Sequence, residues 1–82
     1  MTDIIAIDDD EIILEFYKYT FADEGITVFN NVADAEEWLE GHNTKAIILD
    51  FYMPFYDGKT IPEIIDSLKK HAPILIVTGK HY

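Results

Sequence analysis

Cysteine is absent from these 82 residues. Its absence excludes disulfide staples, thiolate metal sites and a cysteine nucleophile, and suits a reducing compartment. Arginine is absent too: the six basic residues are all lysine and face sixteen acids, for a formal net charge of −10. That balance argues against a broad basic surface for nucleic acid or an anionic membrane, and favours a cationic partner or a divalent metal. No apolar run approaches the ~18–20 residues of a membrane span. Met1-Thr2-Asp3 places no basic segment ahead of the first apolar run, so no signal peptide is expected, and a cytoplasmic location is. With four glycines and three prolines there is no low-complexity stretch, linker or glycine-rich phosphate loop. The length allows one domain, residues 1–82. A chain this short buries only roughly 60% of its unfolded surface, so its core is marginal.

What is present is a set of short apolar runs that each end on a polar residue. Ile4-Ile5-Ala6-Ile7 runs into Asp8-Asp9-Asp10, Ala46-Ile47-Ile48-Leu49 into Asp50, and Ile74-Leu75-Ile76-Val77 into Thr78. Apolar throughout rather than alternating, they read as strands covered on both faces. Strands are expected at Asp3–Ile7, Ile26–Phe29, Lys45–Leu49 and Ile74–Thr78. Helices are expected from about Asp10 to Glu24, stopped by Gly25; over Ala33–Glu40, closed by Gly41; and from about Thr60 to His71, with Pro62 tolerated in the first turn and Pro73 preventing continuation. Asp9 or Asp10 is placed to cap the first helix. Asn30-Asn31 is a turn, and Phe51–Gly58 a loop carrying Pro54 and Gly58. The order β-α-β-α-β-α-β implies parallel pairing through crossovers, hence an α/β doubly wound parallel sheet.

Ligands bind at the carboxyl ends of strands in such sheets, which is where Asp8, Asp9, Asp50 and Thr78 fall. Carboxylates gathered there repel unless a cation is present. Mg²⁺ prefers oxygen donors, keeps several waters and accepts phosphate oxygens. A carboxylate so placed can also serve as a nucleophile and form an aspartyl phosphate. Strand-end acids often merely cap helices; two acidic strand ends together with a strand-end threonine are more specific. Three histidines, His42, His71 and His81, have no metal spacing and are read as exposed. Trp38 is read as core or helix-face packing.

The stretches Ile4 to Asp10, Ile47-Ile48-Leu49-Asp50-Phe51-Tyr52-Met53-Pro54 with Gly58, and Ile76-Val77-Thr78-Gly79 resemble, in residues and in spacing, the receiver domain of two-component response regulators. The likeness covers essentially the whole chain. It implies a flavodoxin-like (CheY-like) fold with Asp50 as phosphoacceptor. Asp8 and Asp9 would be the acidic pair for Mg²⁺, Asp9 the direct ligand, with Asp50 and the backbone carbonyl of Tyr52 completing the metal site. Thr78 would bind a phosphoryl oxygen. Met53-Pro54 and Gly58 would shape the loop after the phosphoacceptor. The aromatics Phe51, Tyr52, Phe55 and Tyr56 crowd that loop, and bulky Tyr52 is expected to slow water attack on the phosphoryl group.

The chain departs from the family by ending soon after its fourth strand, so the expected sheet order is 2-1-3-4. The strand-five lysine and switching aromatic of the family have no counterpart, and Lys80 does not match that lysine by position. Two features then point to self-association. The strand Ile74-Leu75-Ile76-Val77 would be an apolar edge, a template for pairing. The first helix is apolar at Ile12, Ile13, Leu14, Phe16, Tyr17, Tyr19 and Phe21, with only a narrow stripe of Glu11, Glu15, Lys18 and Ala22 breaking the arc. That arc is too wide for one sheet face. A homodimer is expected to complete the fold, with Ile74, Leu75, Ile76, Val77, Phe16, Tyr17 and Tyr19 at its interface and ~800 Å² buried per chain. Antiparallel pairing of the two fourth strands with helix contacts beside it is the expected geometry; packing of first helices against bare sheet faces is the competing one.

Three readings of function follow. One is a minimal receiver, taking a phosphoryl group from a histidine kinase or phosphotransfer protein onto Asp50 with Mg²⁺ and acting as a homodimer on a downstream protein; this is no turnover enzyme. The second is a phosphorylation-independent dimeric interaction module with a degenerate receiver pocket. The third is a fragment of a longer receiver. Neither nucleic acid nor membrane is an expected partner.

Overall fold

The computed structural model describes residues 3–50 and 60–77. Among them are four strands, β1 (Ile4–Ile7), β2 (Ile26–Phe29), β3 (Ala46–Asp50) and β4 (Ile74–Val77), and three α-helices, α1 (Glu11–Thr20), α2 (Val32–Leu39) and α3 (Ile61–Lys69). All pairings are parallel and the sheet order is β2-β1-β3-β4. This is the α/β doubly wound, flavodoxin-like arrangement.

Each helix starts on a side chain that satisfies its open backbone donors. Asp10 caps α1, its carboxylate accepting from the N–H groups of Ile12 at 2.9 Å and Ile13 at 3.4 Å. Asn31 caps α2 through the N–H of Asp34 at 2.8 Å. Thr60 and Glu63 form a reciprocal capping box at the start of α3, with Pro62 in the first turn.

The first helix is shorter than the sequence pattern predicts. It stops at Thr20, and Ala22–Glu24 form a tighter 3-10 turn into Gly25, whose φ of 73° lies in the left-handed region. Length explains the stop. The carbonyl of Gly25 accepts from Asp3 at 2.8 Å and Ile4 at 3.3 Å, so the chain must return to the level at which β1 began. Four strand residues rise ~13 Å and ten helical residues ~15 Å; fifteen would rise ~22 Å and overshoot. The other boundaries lie within two residues of those expected.

Ile5, Ile7, Ile47 and Leu49 point to one face, where Val32, Ala35 and Leu39 of α2, Ile64 and Leu68 of α3, and Ala72 cover them. The hydroxyl of Ser67 donates to the carboxylate of Glu36, tying α3 to α2. Ala6, Leu14 and Ile48 are buried but outside this cluster; they belong to the opposite face, where α1 packs on β1 and β2. Strands β1 and β3 are covered on both faces, as their apolar runs imply. In β4 the same kind of run is only half covered: Ile74 packs against the core, whereas Leu75 is 62% and Ile76 37% exposed.

Candidate functional site

The carboxyl ends of β1 and β3 lie side by side because Ile7 pairs with Leu49. The chain therefore brings Asp8, just beyond β1, next to Asp50, the last residue of β3. Asp8 is fixed twice. Its N–H donates to the carbonyl of Phe29 at 3.0 Å, and its Oδ1 accepts from the N–H of Asp10 at 2.9 Å. Asp10, in turn, is locked by capping α1. Asp8 and Asp50 are buried and Asp9 is exposed. A carboxylate oxygen from each of the three lies within 4.8 Å of the others.

Three carboxylates this close, two of them buried, repel one another strongly. The set consists entirely of hard oxygen donors, on one open side of which sits exposed Asp9. It fits a small divalent cation such as Mg²⁺, which keeps waters in its remaining positions. It offers no nitrogen or sulfur donor for a softer metal. The sequence pattern offers Asp9 or Asp10 as a cap and misses the second role of Asp10, whose backbone N–H also orients Asp8. The signal was the Asp-x-Asp spacing, since an aspartate side chain readily bonds the N–H two residues on.

Thr78, Tyr52 and the loop residues Met53, Pro54 and Gly58 lie outside the described residues, as do Phe51, Phe55, Tyr56, Lys80 and His81. Of the residues expected at a dimer interface, Phe16 and Tyr19 are 61% and 88% exposed, joined by Ile12 at 79%. Tyr17 is half-buried, with its ring 6.3 Å from those of Phe16 and Phe21. Ile74 and Val77 are half-buried, and Leu75 and Ile76 are exposed. A concavity of about 540 Å³ lies at the other end of the sheet, against Asp3, Thr27 and Lys45. One wall is Trp38, which touches Phe29 and the core and carries exposed His42 stacked on its ring at 4.2 Å. His71 is half-buried rather than exposed, because it closes the end of α3 through its N–H to the carbonyl of Leu68.

An acidic cluster at the carboxyl edge of a 2-1-3-4 parallel sheet defines a class of protein as well as a site. Residues 4–82 match the response regulator receiver domain family, and the chain belongs to it. Among solved structures, the MaeR response regulator bound to beryllium trifluoride is similar with a TM-score of 0.76 at 17% identity, over 100% of this chain and 70% of that one. The receiver domain of NtrC4 from Aquifex aeolicus is similar with a TM-score of 0.72 at 23% identity, over 100% of this chain and 69% of that one. At these identities the likeness is one of fold. No curated protein matches the chain.

Proposed function

We propose that the chain is a phosphoacceptor receiver of two-component signalling, with Asp50 as the acceptor and Asp8, Asp9 and Asp50 as carboxylate ligands of Mg²⁺. The observation that carries this reading is the meeting of these three carboxylates at the carboxyl end of a receiver-family sheet. The donor is a phosphohistidine on a kinase or phosphotransfer protein. An oxygen of the Asp50 carboxylate attacks phosphorus as the P–N bond breaks, and the released imidazole takes up a proton from solvent. Bound Mg²⁺ supplies positive charge to the phosphoryl oxygens. Asp10 keeps Asp8 oriented, and burial restrains Asp50. By the family resemblance, Thr78 would offer a hydroxyl to a phosphoryl oxygen and Tyr52 a backbone carbonyl to the metal, both lying outside the described residues. The product is a signal state rather than a released compound, so the chain is a switch and not a turnover enzyme. No helix among the described residues is long and apolar enough to cross a membrane, which is consistent with action in the cytoplasm.

The working form in this reading is a homodimer held through β4 and α1. Exposure of Leu75, Ile76, Phe16 and Tyr19 in the single chain supports this. Phosphotransfer is tested by intact-mass spectrometry after incubation with acetyl phosphate and Mg²⁺. The chain is expected to gain one phosphoryl group, and Asp50→Ala to gain none. A folded chain that gains none sinks the phosphoacceptor reading and leaves the alternative of an interaction module.

A further inference from the structure

The register across the sheet shows where coverage of its α1 face runs out. Ala6, Ile48 and Leu75 occupy one row of β1, β3 and β4. Their exposure rises from 0% to 7% to 62%. Helix α1 packs over β1 and β2, and Ile48 of β3 is still buried, whereas the described residues leave Leu75 of β4 open on that face. The open strip is therefore β4, one strand wide at ~4.8 Å, along the edge of the sheet.

Helix α1 is apolar on two opposite sides. Leu14 is buried against its own sheet. At 3.6 residues per turn, Ile12, Phe16 and Tyr19 stand roughly 140–160° around the helix from it, and all three are exposed. Ile13 and Tyr17 fill the arc between. The polar stripe lies on the other flank: Glu11, Glu15 and Lys18 border β2 and Asp34, with Lys18 Nζ 2.7 Å from Glu15. The apolar flank of α1 therefore looks along the sheet, past buried Ile48, toward the open face of β4. A helix apolar on both its inner and outer sides belongs to a buried layer.

We propose that a second copy of this chain stacks face to face with the first, so that the two α1 helices lie side by side as one shared layer between the two sheets. This rests on the dimer reading above and selects its geometry. Each α1 covers β1 and β2 of its own sheet through Leu14, and the open face of β4 in the partner sheet through Ile12, Phe16 and Tyr19. Leu75 receives the partner helix, and the Glu11–Glu15–Lys18 stripe forms a wet rim. Two-fold symmetry makes the contact isologous and closed. The alternative, pairing of β4 with β4 in one continuous sheet, leaves the outer side of α1 and the open face of β4 at Leu75 unburied. Exposed apolar area at Ile12, Phe16, Tyr19 and Leu75 is on the order of 500 Å², taking ~150–250 Å² for a large side chain. With the half-buried Ile13, Tyr17 and Val77 it approaches the ~800 Å² per chain of a stable interface.

The native chain has no cysteine, so single engineered thiols report on geometry cleanly. Sedimentation is expected to give a dimer. Phe16→Cys chains mixed with Leu75→Cys chains and a short bis-maleimide are expected to give the mixed product in excess of either self-linked one. Phe16→Glu and Tyr19→Glu, both at exposed positions, are expected to be monomers with unchanged circular dichroism. Self-linked Leu75→Cys without mixed product, with Phe16→Glu still dimeric, overturns the shared layer in favour of edge pairing and keeps the dimer. A monomeric native chain overturns both, while the mass gain at Asp50 remains a separate question.

Discussion

At the scale of single residues, Asp8, Asp9 and Asp50 hold opposing demands. Two of them are buried and all three converge within 4.8 Å. A pair of unit charges at that distance interacts by ~3–4 kcal/mol even at an effective dielectric of 20. On the proposed metal reading, a cation held by these carboxylates would relieve that repulsion. Replacing Asp50 with asparagine removes one charge at nearly constant shape. Asp50→Asn is expected to raise the stability of the metal-free protein by about 1–3 kcal/mol at neutral pH. The order reverses in Mg²⁺, because the native chain gains RT ln(1 + [Mg²⁺]/Kd), ~2.7 kcal/mol at a hundredfold excess over Kd, and the variant gains less. Thermal melts with chelator and with Mg²⁺ check this; a variant less stable than the native chain in chelator refutes it. The acids themselves were legible in the sequence because each directly follows an apolar run. The second hold on Asp8 is signalled only by the Asp-x-Asp spacing, which leaves open which backbone N–H the side chain selects.

At the scale of elements, the helix starts carry the local specification. Thr60 is exposed and makes no core contact, so its contribution is the capping box alone: its hydroxyl accepts from Glu63 N–H at 3.3 Å, and Glu63 returns a bond to Thr60 N–H at 2.8 Å. Thr60→Ala is expected to cost about 1 kcal/mol, read as a lower urea midpoint with an unchanged slope. A changed slope would mean that the substitution altered more than the cap. Element type and order follow from the apolar runs and from Gly25, Gly41 and Pro73, and the sequence pattern anticipates them. The end of α1 does not follow from its own residues. The apolar pattern from Ile12 to Phe21 carries no stop signal of its own, and what stops the helix at Thr20 is the tertiary requirement that Gly25 return to the level of Asp3. Likewise β4 reads as a strand buried on both faces, and within one chain it is not. The same mismatch appears in α1, and both elements leave apolar area that the described residues do not cover.

At the scale of the whole molecule, charge and apolar area compete. Each chain carries −10, and association brings two such charges together. In either geometry the centres lie within roughly a few tens of ångströms of each other, the chain measuring 33 × 33 × 18 Å. The Debye length is ~30 Å at 0.01 M salt and ~8 Å at 0.15 M. Like-charge repulsion therefore opposes either dimer at low salt and is largely screened at physiological salt. Apolar burial is not weakened by added salt and is strengthened by sulfate. The dissociation constant is accordingly expected to fall by about tenfold or more, at least ~1.4 kcal/mol, between 0.01 M and 0.15 M sodium chloride, and to fall further in sulfate. Analytical ultracentrifugation across that series measures it directly. A dissociation constant that rises with salt would mean that ion pairs between chains, rather than the apolar sides of α1 and β4, hold the dimer together, because screening weakens attraction between opposite charges just as it weakens repulsion between like ones.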